Sequence, residues 1–476
     1  MTARGFSLGV VADDLTGANA TGVGLAALGM EVWSVLDPGA VSELSGPAQA
    51  LMGVTESRAI PPDEAASRVR AATEGLLAAG ATTFGKRIDS TLRGNLGAEL
   101  EAMLAVLDGA GHPHLALVVP AYPASGRVVA GGYLLVHGVP VQETGAGRDP
   151  SAPVRKSQAA QVLAEQTRLP MELVELDRVM QGPEAVRHAL HEATRRGRRV
   201  VVVDATTDAH IETIARAAVA LPQPVLSVDP GPFTTALARV RLEQASLLRE
   251  LAAEGPEPAA TPALGPYLAG AVGSVTDLSL RQVAAAAKAG VIEPISVPLA
   301  EWDLAAVPSD ESLPEAAARV LEAALTSLRA GRRPVLVTHA PGAPLLPPHA
   351  ARSVARVVGA LVAALARAAA AQGTPLGGLY LSGGDITVAT CRALGSAALR
   401  LEAQVEPLVA LARLDGGPHA GLVLVTKGGL VGDDQALVRA MEALACRVAQ
   451  ASQGYGAPAS PSMGATGSLV PPLGWA

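Results

Sequence analysis

The 476-residue chain is 49% apolar and 17% charged, with a mean hydropathy of +0.31 and a formal charge of −7. So apolar a composition excludes a disordered polymer, and at ~100 to 200 residues per domain the length predicts two domains, each with its own core. Its three Phe, three Trp and five Tyr are not interleaved with any basic tract, which excludes nucleic acid as a partner. Cys391 and Cys446 lie outside any CxxC and support neither a disulfide framework nor a thiolate metal site.

The N-terminus passes from MTARG into FSLGVVADD without the basic stretch, apolar run and cleavage site of a secretory signal, which predicts a cytoplasmic protein. Strands are expected at SLGVVA, VWSVL, TTFGKRI, LALVVPA, RRVVVVDA and PVLSVD, with helical-period segments such as DEAASRVRAATEGLLAAG and GAELEAMLAVLDG between them. Uninterrupted apolar strands alternating with helices predict α/β layers around a largely parallel sheet. GRVVAGGYLLVHGVPVQET breaks that rhythm, and Gly131 and Gly132 between two extended runs predict a hairpin.

Residues 254–266, rich in Pro, Glu and Ala, read as a linker, after which the rhythm restarts with YLAGAVGS, PVLVTHA, GGLYLSGGD and AGLVLVTKGG. The apolar run from Val357 to Ala366, bounded by Arg356 and Arg367, is shorter than the ~20 residues a bilayer needs. It predicts an amphipathic surface helix and no membrane span. A Gly-, Pro- and Ser-rich tail, 451–476, is expected to be poorly ordered. The expected architecture is thus two α/β domains, 1–253 and 267–450, with largely parallel sheets and an active site in the cleft between them.

Four motifs could carry chemistry. VVADDLTGANATG ends a strand in Asp13 and Asp14, and ligands of open α/β sheets bind beyond the carboxyl ends of strands. These carboxylates suit substrate hydroxyls or base work, although one of them serves equally well as a helix cap. FGKRIDSTLRGNLGAEL gathers Lys86, Arg87 and Arg93 around Asp89, Ser90 and Thr91. The cations fit a carboxylate or phosphate, and the alternative is an ion-pair network in which Asp89 merely satisfies them. SGGDIT and TKGGLVGDD each place glycines between a strand and a helix, where backbone N–H groups can approach a phosphate, and Gly273-Ser274 marks a third strand end. Lys427 is one of only four lysines, with Lys86, Lys156 and Lys288. No segment has the G-x-x-x-x-G-K-[ST] pattern, and Gly22, Gly24 and Ala27 lie too far past their strand for a dinucleotide fingerprint.

Taken in order, VADDLTGANATG, TESR at 55–58, KRIDSTLRGN, PAYPASGR with GGYLLVHGVPVQET, VVVDATTD, GSVT, SGGDIT and TKGGLVGDD resemble the four-carbon acid sugar kinases over roughly residues 8 to 445. The resemblance implies an N-terminal substrate domain, a C-terminal ATP domain and transfer of phosphate from ATP, with Mg²⁺, to the terminal hydroxyl of a tetronate. It implies that Asp13, Asp14, Arg58, Lys86, Arg87, Ile88, Asp89 and Arg93 hold the acid, with Asp14 or Asp89 taking the hydroxyl proton. Ser274, Gly383, Gly384, Asp385, Ile386, Lys427, Gly428 and Gly429 would hold ATP, and no metal ligands are assigned. Asn19, Thr21 and Gly22 look like the D-threonate and D-erythronate branch rather than the 3-oxo-tetronate 4-kinase branch. Ala20 stands where relatives often carry Asp, and Glu406-Pro407-Leu408 lacks their Pro-Gly-Val run. Competing readings are a sugar-acid dehydratase or aldolase, and a two-domain sensor of sugar acids. The partners expected are small molecules, with no membrane, and a homo-oligomer is compatible with the sequence.

Overall fold

The structure, a computed structural model, describes residues 7–37, 48–149, 152–244, 265–299, 316–339 and 351–452, with positions 41, 44, 302 and 313. The expected tail beyond 452 and all but the last two residues of the expected linker lie outside the described residues. In chain order the strands are β1 (Leu8–Ala12), β2 (Val32–Val35), β3 (Ala50–Val54), β4 (Thr83–Arg87), β5 (Leu115–Val118), β6 (Arg127–Ala130), β7 (Tyr133–Val136), β8 (Val139–Pro140), β9 (Met171–Val174), β10 (Val200–Val203) and β11 (Val225–Asp229). The second half adds β12 (Tyr267–Val272), β13 (Glu293–Ser296), β14 (Pro334–Val337), β15 (Leu376–Ser382), β16 (Ala398–Glu406), β17 (Val409–Asp415) and β18 (Val423–Lys427).

The two halves share one 15-stranded sheet in the order β13-β14-β12-β15-β18-β17-β16-β2-β3-β1-β4-β11-β5-β10-β9. Every pairing within the first half of that sheet is parallel, as fully buried Val- and Leu-rich strands require helices on both faces. The halves join through β16, which runs antiparallel to both β17 and β2. At that seam Trp33 Nε1 donates to Asp415 at 3.0 Å, and Arg400 pairs with Glu31 at 2.8 Å beneath a cation–π contact on Trp33. One apolar core also crosses the seam, enclosing Val10 and Met52 together with Leu336, Leu379 and Leu424.

The strand order reverses twice, and each reversal opens a crevice. From β1 the chain proceeds outward to β2 and β3, then returns past β1 to β4, so the carboxyl end of β1 is a switch point. In the second half it goes from β12 to β13 and β14 and returns to β15, which opens a second crevice between β12 and β15. A small antiparallel sheet, β6-β7-β8, contains the expected hairpin, whose Gly131 and Gly132 turn at φ 60° and 77°. Asp204 fastens that turn by accepting both glycine N–H groups, at 2.6 and 2.9 Å.

The run Val357–Ala366 is not a surface stretch. It lies within the helix Ala351–Ala371, and Val357, Val358, Leu361, Val362 and Leu365 are each at most 1% exposed in the core shared by the halves. Among the described residues this is the one helix, over Ser353–Ala371, long and apolar enough to cross a membrane, and 61% of that window is buried within the protein.

Candidate active site

At the first switch point β1 delivers Asp13, 2% exposed, and Asp14, whose carboxylate caps the helix Leu15–Ala26 by accepting the Gly17 N–H at 2.9 Å. Arg58 Nε donates to Asp13 at 2.7 Å, while Nη2 lies 2.9 Å from Asp14 and 3.6 Å from Asp89. Arg87 ends β4 in register with Ala12 and reaches Asp13 at 3.1 Å and Asp14 at 2.8 Å. Gly17 is glycine for a steric reason, since a Cβ there would overlap the Arg87 guanidinium. Arg93 forks over Asp89 at 2.8 and 3.1 Å and pairs with Asp149 at 2.9 Å. Burial opposes ionisation of Asp89, but Arg58 and Arg93 outweigh it and hold its carboxyl well below the usual range; Arg58 and Arg87 likewise keep Asp13 ionised.

Lys86 and Ile88 are placed differently from the arginines. Side chains alternate along a strand, so Lys86 points away from its neighbour Arg87 and toward the helix Leu96–Gly109. Its ammonium, 0% exposed, lies 2.7 Å from Glu99 and donates to the Arg87 carbonyl at 2.9 Å. Ile88 is 1% exposed, and its backbone N–H donates to the Asp229 carbonyl at 3.1 Å.

The second switch point gathers the glycine turns. Ser274 follows β12, Gly383 follows β15 at φ 111°, and Gly428 follows β18. Gly383 N–H donates to the Lys427 carbonyl at 2.9 Å, and Thr276 and Ser279 hydroxyls hold the Gly429 carbonyl at 3.1 and 3.0 Å. The Ser274 hydroxyl lies against Gly429, where a Cβ would overlap it. Gly384 and exposed Asp385 open the helix Gly384–Ala393, whose Ile386 is 5% exposed beneath Gly273. Lys427 is turned inward, donating to the Gly428 carbonyl at 2.7 Å and the Val431 carbonyl at 3.2 Å; burial pulls its ammonium down to about 8 against the attraction of Glu406.

The two crevices meet at the start of the helix Leu15–Ala26. Thr16 would lie 3.3 Å from a Cβ on Gly384 and 3.2 Å from one on Gly428, so this residue of the Asp-Asp-Leu-Thr-Gly motif stands beside both glycine turns. Behind it, Asn19 Nδ2 donates to Thr426 Oγ1 at 3.0 Å. Glu56, missed at the level of sequence, stands at the same junction with φ 48°; it accepts the Leu15 N–H at 3.1 Å and shares a hydrogen bond with Asp385. Burial, then the charges of Asp14 and Asp385, push its carboxyl up to about 8. Its only cue in the sequence was its place beside Arg58 in TESR.

This arrangement can hold a small polyhydroxy acid at one strand-end crevice and a phosphate at glycine amides in the next. Among the described residues no group of three or more His, Cys, Asp or Glu side chains is arranged to hold a metal ion.

Residues 8–237 match the model of a sugar-binding N-terminal domain, and residues 269–437 that of a nucleotide-binding C-terminal domain. The chain is 36% identical to the D-erythronate kinase of Heliobacterium modesticaldum over 92% of its length and 97% of the relative's. It is 31% identical to the D-threonate kinase of Salmonella typhimurium, covering 91% and 97% of the two chains, and 31% identical to the 3-oxo-tetronate kinase of Methylobacterium radiotolerans, covering 90% and 97%. A solved structure from Salmonella typhimurium LT2 shares the fold, with a TM-score of 0.71 at 22% identity over 92% of this chain and 99% of that one. A near full-length match to three such kinases, with the sugar- and nucleotide-binding models falling on the two crevices in turn, shows that the chain belongs to the four-carbon acid sugar kinase family.

Proposed function

We propose that the protein transfers the γ-phosphoryl group of Mg·ATP to the terminal hydroxyl of D-erythronate or D-threonate. The acid occupies the Asp13–Arg58–Arg87–Asp89 crevice of the first half, and ATP occupies the Ser274, Gly383–Ile386 and Lys427–Gly429 turns of the second. The observation that carries this reading is the proximity of Thr16 to both Gly384 and Gly428, which brings the Asp13-Asp14 motif close to the turns suited to phosphate. The higher identity to a D-erythronate kinase, 36% against 31% to a 3-oxo-tetronate kinase, and the first-half motif Asn19, Thr21, Gly22 favour the D-erythronate and D-threonate branch.

The terminal hydroxyl oxygen attacks the γ-phosphorus as the bond to the β,γ-bridging oxygen breaks, ADP departs, and the hydroxyl proton passes to a carboxylate. Little covalent work falls to the protein, so rate comes from positioning and charge. Mg²⁺ enters as part of the nucleotide substrate, carried by phosphate oxygens. Asp89 accepts from Arg93 and Thr91 and is a weak base, suited to orienting hydroxyls. Asp14 and Glu56 stand on the nucleotide side and are the proton acceptors to separate by mutation. A cytoplasmic enzyme, and a homo-oligomer, accord with this reading.

The test is ADP formation by purified protein with Mg·ATP and each of D-erythronate, D-threonate, L-erythronate, L-threonate and 3-oxo-tetronate. Turnover of the first two at the highest kcat/KM supports the proposal. A preference for 3-oxo-tetronate would move the enzyme to the other branch, and no turnover with any acid would overturn the reading.

A further inference from the structure

The acid-binding crevice presents an electrostatic difficulty. Arg58 and Arg87 are paired with Asp13 and Asp14, and Arg93 with Asp89. Three carboxylates of the crevice therefore already engage its three arginines. A sugar acid brings one more negative charge, and none of these cations is left uncommitted to receive it.

Arg127, by contrast, has no carboxylate partner among the described residues. It opens β6, and its backbone is fixed by paired bonds with Tyr122, donating at 3.1 Å and accepting at 2.8 Å, just after Gly126 at φ 74°. One guanidinium nitrogen donates to the Ser125 carbonyl, a neutral acceptor. Its Nε is buried with no hydrogen-bond partner, and among the described residues it makes no ion pair. The side chain lies within the field of Asp89, which favours its charge, and of Arg93, which opposes it; burial is the larger effect and disfavours the cation. Asp204, which holds the Gly131-Gly132 turn, fixes the hairpin that presents it. A half-buried guanidinium whose Nε has no partner, beside a crevice of committed ion pairs, is a fork awaiting an anion.

We propose that Arg127 binds the carboxylate of the sugar acid and thereby selects an acid over the neutral four-carbon polyol. This rests on the kinase reading above. A polyol would leave the buried Nε without a partner and the charge unmatched, which penalises it relative to the acid.

The experiment compares wild type, Arg127→Gln and Arg127→Lys in two measurements. The first is calorimetric binding of D-erythronate and D-threonate without nucleotide; the second is kcat/KM for each acid and for the matching tetritol, erythritol or threitol, with Mg·ATP. Arg127→Gln is expected to weaken acid binding about 100-fold, to lower the acid-to-tetritol ratio of kcat/KM by the same factor, and to leave the KM for ATP within about twofold. Arg127→Lys is expected to restore part of the ratio, because it returns the charge without the fork. Unchanged acid binding in Arg127→Gln overturns the assignment, and so does an equal loss for acid and tetritol, which marks a structural role. Failure of wild type to bind any four-carbon acid overturns the kinase reading and this inference together, an outcome distinct from failure in the variant alone.

Discussion

Replacing Lys86 by Met should cost stability before it costs recognition of the acid. Lys86 and Glu99 are 0% and 1% exposed and 2.7 Å apart, between β4 and the helix Leu96–Gly109. Met preserves the stem, so the chief loss is the ammonium, and Glu99 is left as a buried carboxylate without its counter-ion. Half-broken buried pairs cost about 3–5 kcal/mol. At about 2–4 °C per kcal/mol for domains of this size, the melting midpoint should fall by about 6–20 °C. Converting the partner as well, in Lys86→Met/Glu99→Leu, removes the orphaned charge and should recover most of the loss. The assay is thermal unfolding of the two single variants and the double variant, with KM for the acid measured below the transition. A wild-type midpoint in Lys86→Met together with a raised KM for the acid alone would refute the reasoning. Lys86 would then reach the substrate, as the crowded KRIDSTLR stretch alone suggests.

Gly17→Ala places a methyl on the Arg87 guanidinium, so KM for the acid should rise about 10-fold or more in steady-state assays while KM for ATP stays put. Gly428→Val crowds Thr16 and Val431, each 3.1–3.2 Å from the first added carbon, and should abolish the stabilisation by ATP in a thermal-shift titration while sparing that by the acid. The Glu56 carboxyl, raised from 4.5 to about 8, holds a proton in the native state that the unfolded chain releases. Its contribution to stability is therefore complete below pH 4.5 and is lost as pH rises through about 8. Glu56→Gln cannot ionise, so its melting midpoint relative to wild type should climb between about pH 5 and about pH 9, and parallel curves would contradict the assignment. If Glu56 also takes the substrate proton, a kcat/KM limb near pH 8 disappears in the same variant. Leu408 occupies the two-residue turn between β16 and β17 at φ 66°, so Leu408→Gly should be stabilising by up to about 1 kcal/mol in denaturant unfolding, and a loss of stability would refute the strain.

The strands most visible in the sequence were those buried on both faces. SLGVVA, RRVVVVDA and PVLSVD became β1, β10 and β11 because a parallel strand covered by helices is apolar without interruption. Half-exposed strands escaped that reading. β13 alternates intermediate with exposed residues, and β16 turns polar over its last residues; its hairpin partner β17 is fully buried, but Arg413 interrupts its apolar run. The helix Ala351–Ala371 misled because flanking arginines mark a surface only when the intervening face is left uncovered, and here the helices Ala317–Arg329 and Gly384–Ala393 cover it together with β12 and β15.

Within the site, residue types and strand-end positions were legible, and partners were not. Asp13, Asp14, Arg58, Arg87, Asp89 and Arg93 come together as one cluster. Which of two adjacent cations faces the crevice depends on what packs against each face of β4, and that is a tertiary fact. Glu56 comes beside Asp385, 329 positions away, where its backbone takes a left-handed turn, and Arg127 stands out because the arginines that engage Asp13, Asp14 and Asp89 are already paired.

The central claim is tested most directly by ³¹P NMR of a reaction containing the purified protein, Mg·ATP and D-erythronate, repeated with D-threonate. The account predicts loss of the γ-phosphate signal, appearance of ADP, and one new phosphomonoester coupled to the protons of the terminal carbon. Phosphate released to water, a phosphoester on an inner hydroxyl, or an unchanged spectrum with both acids would contradict it.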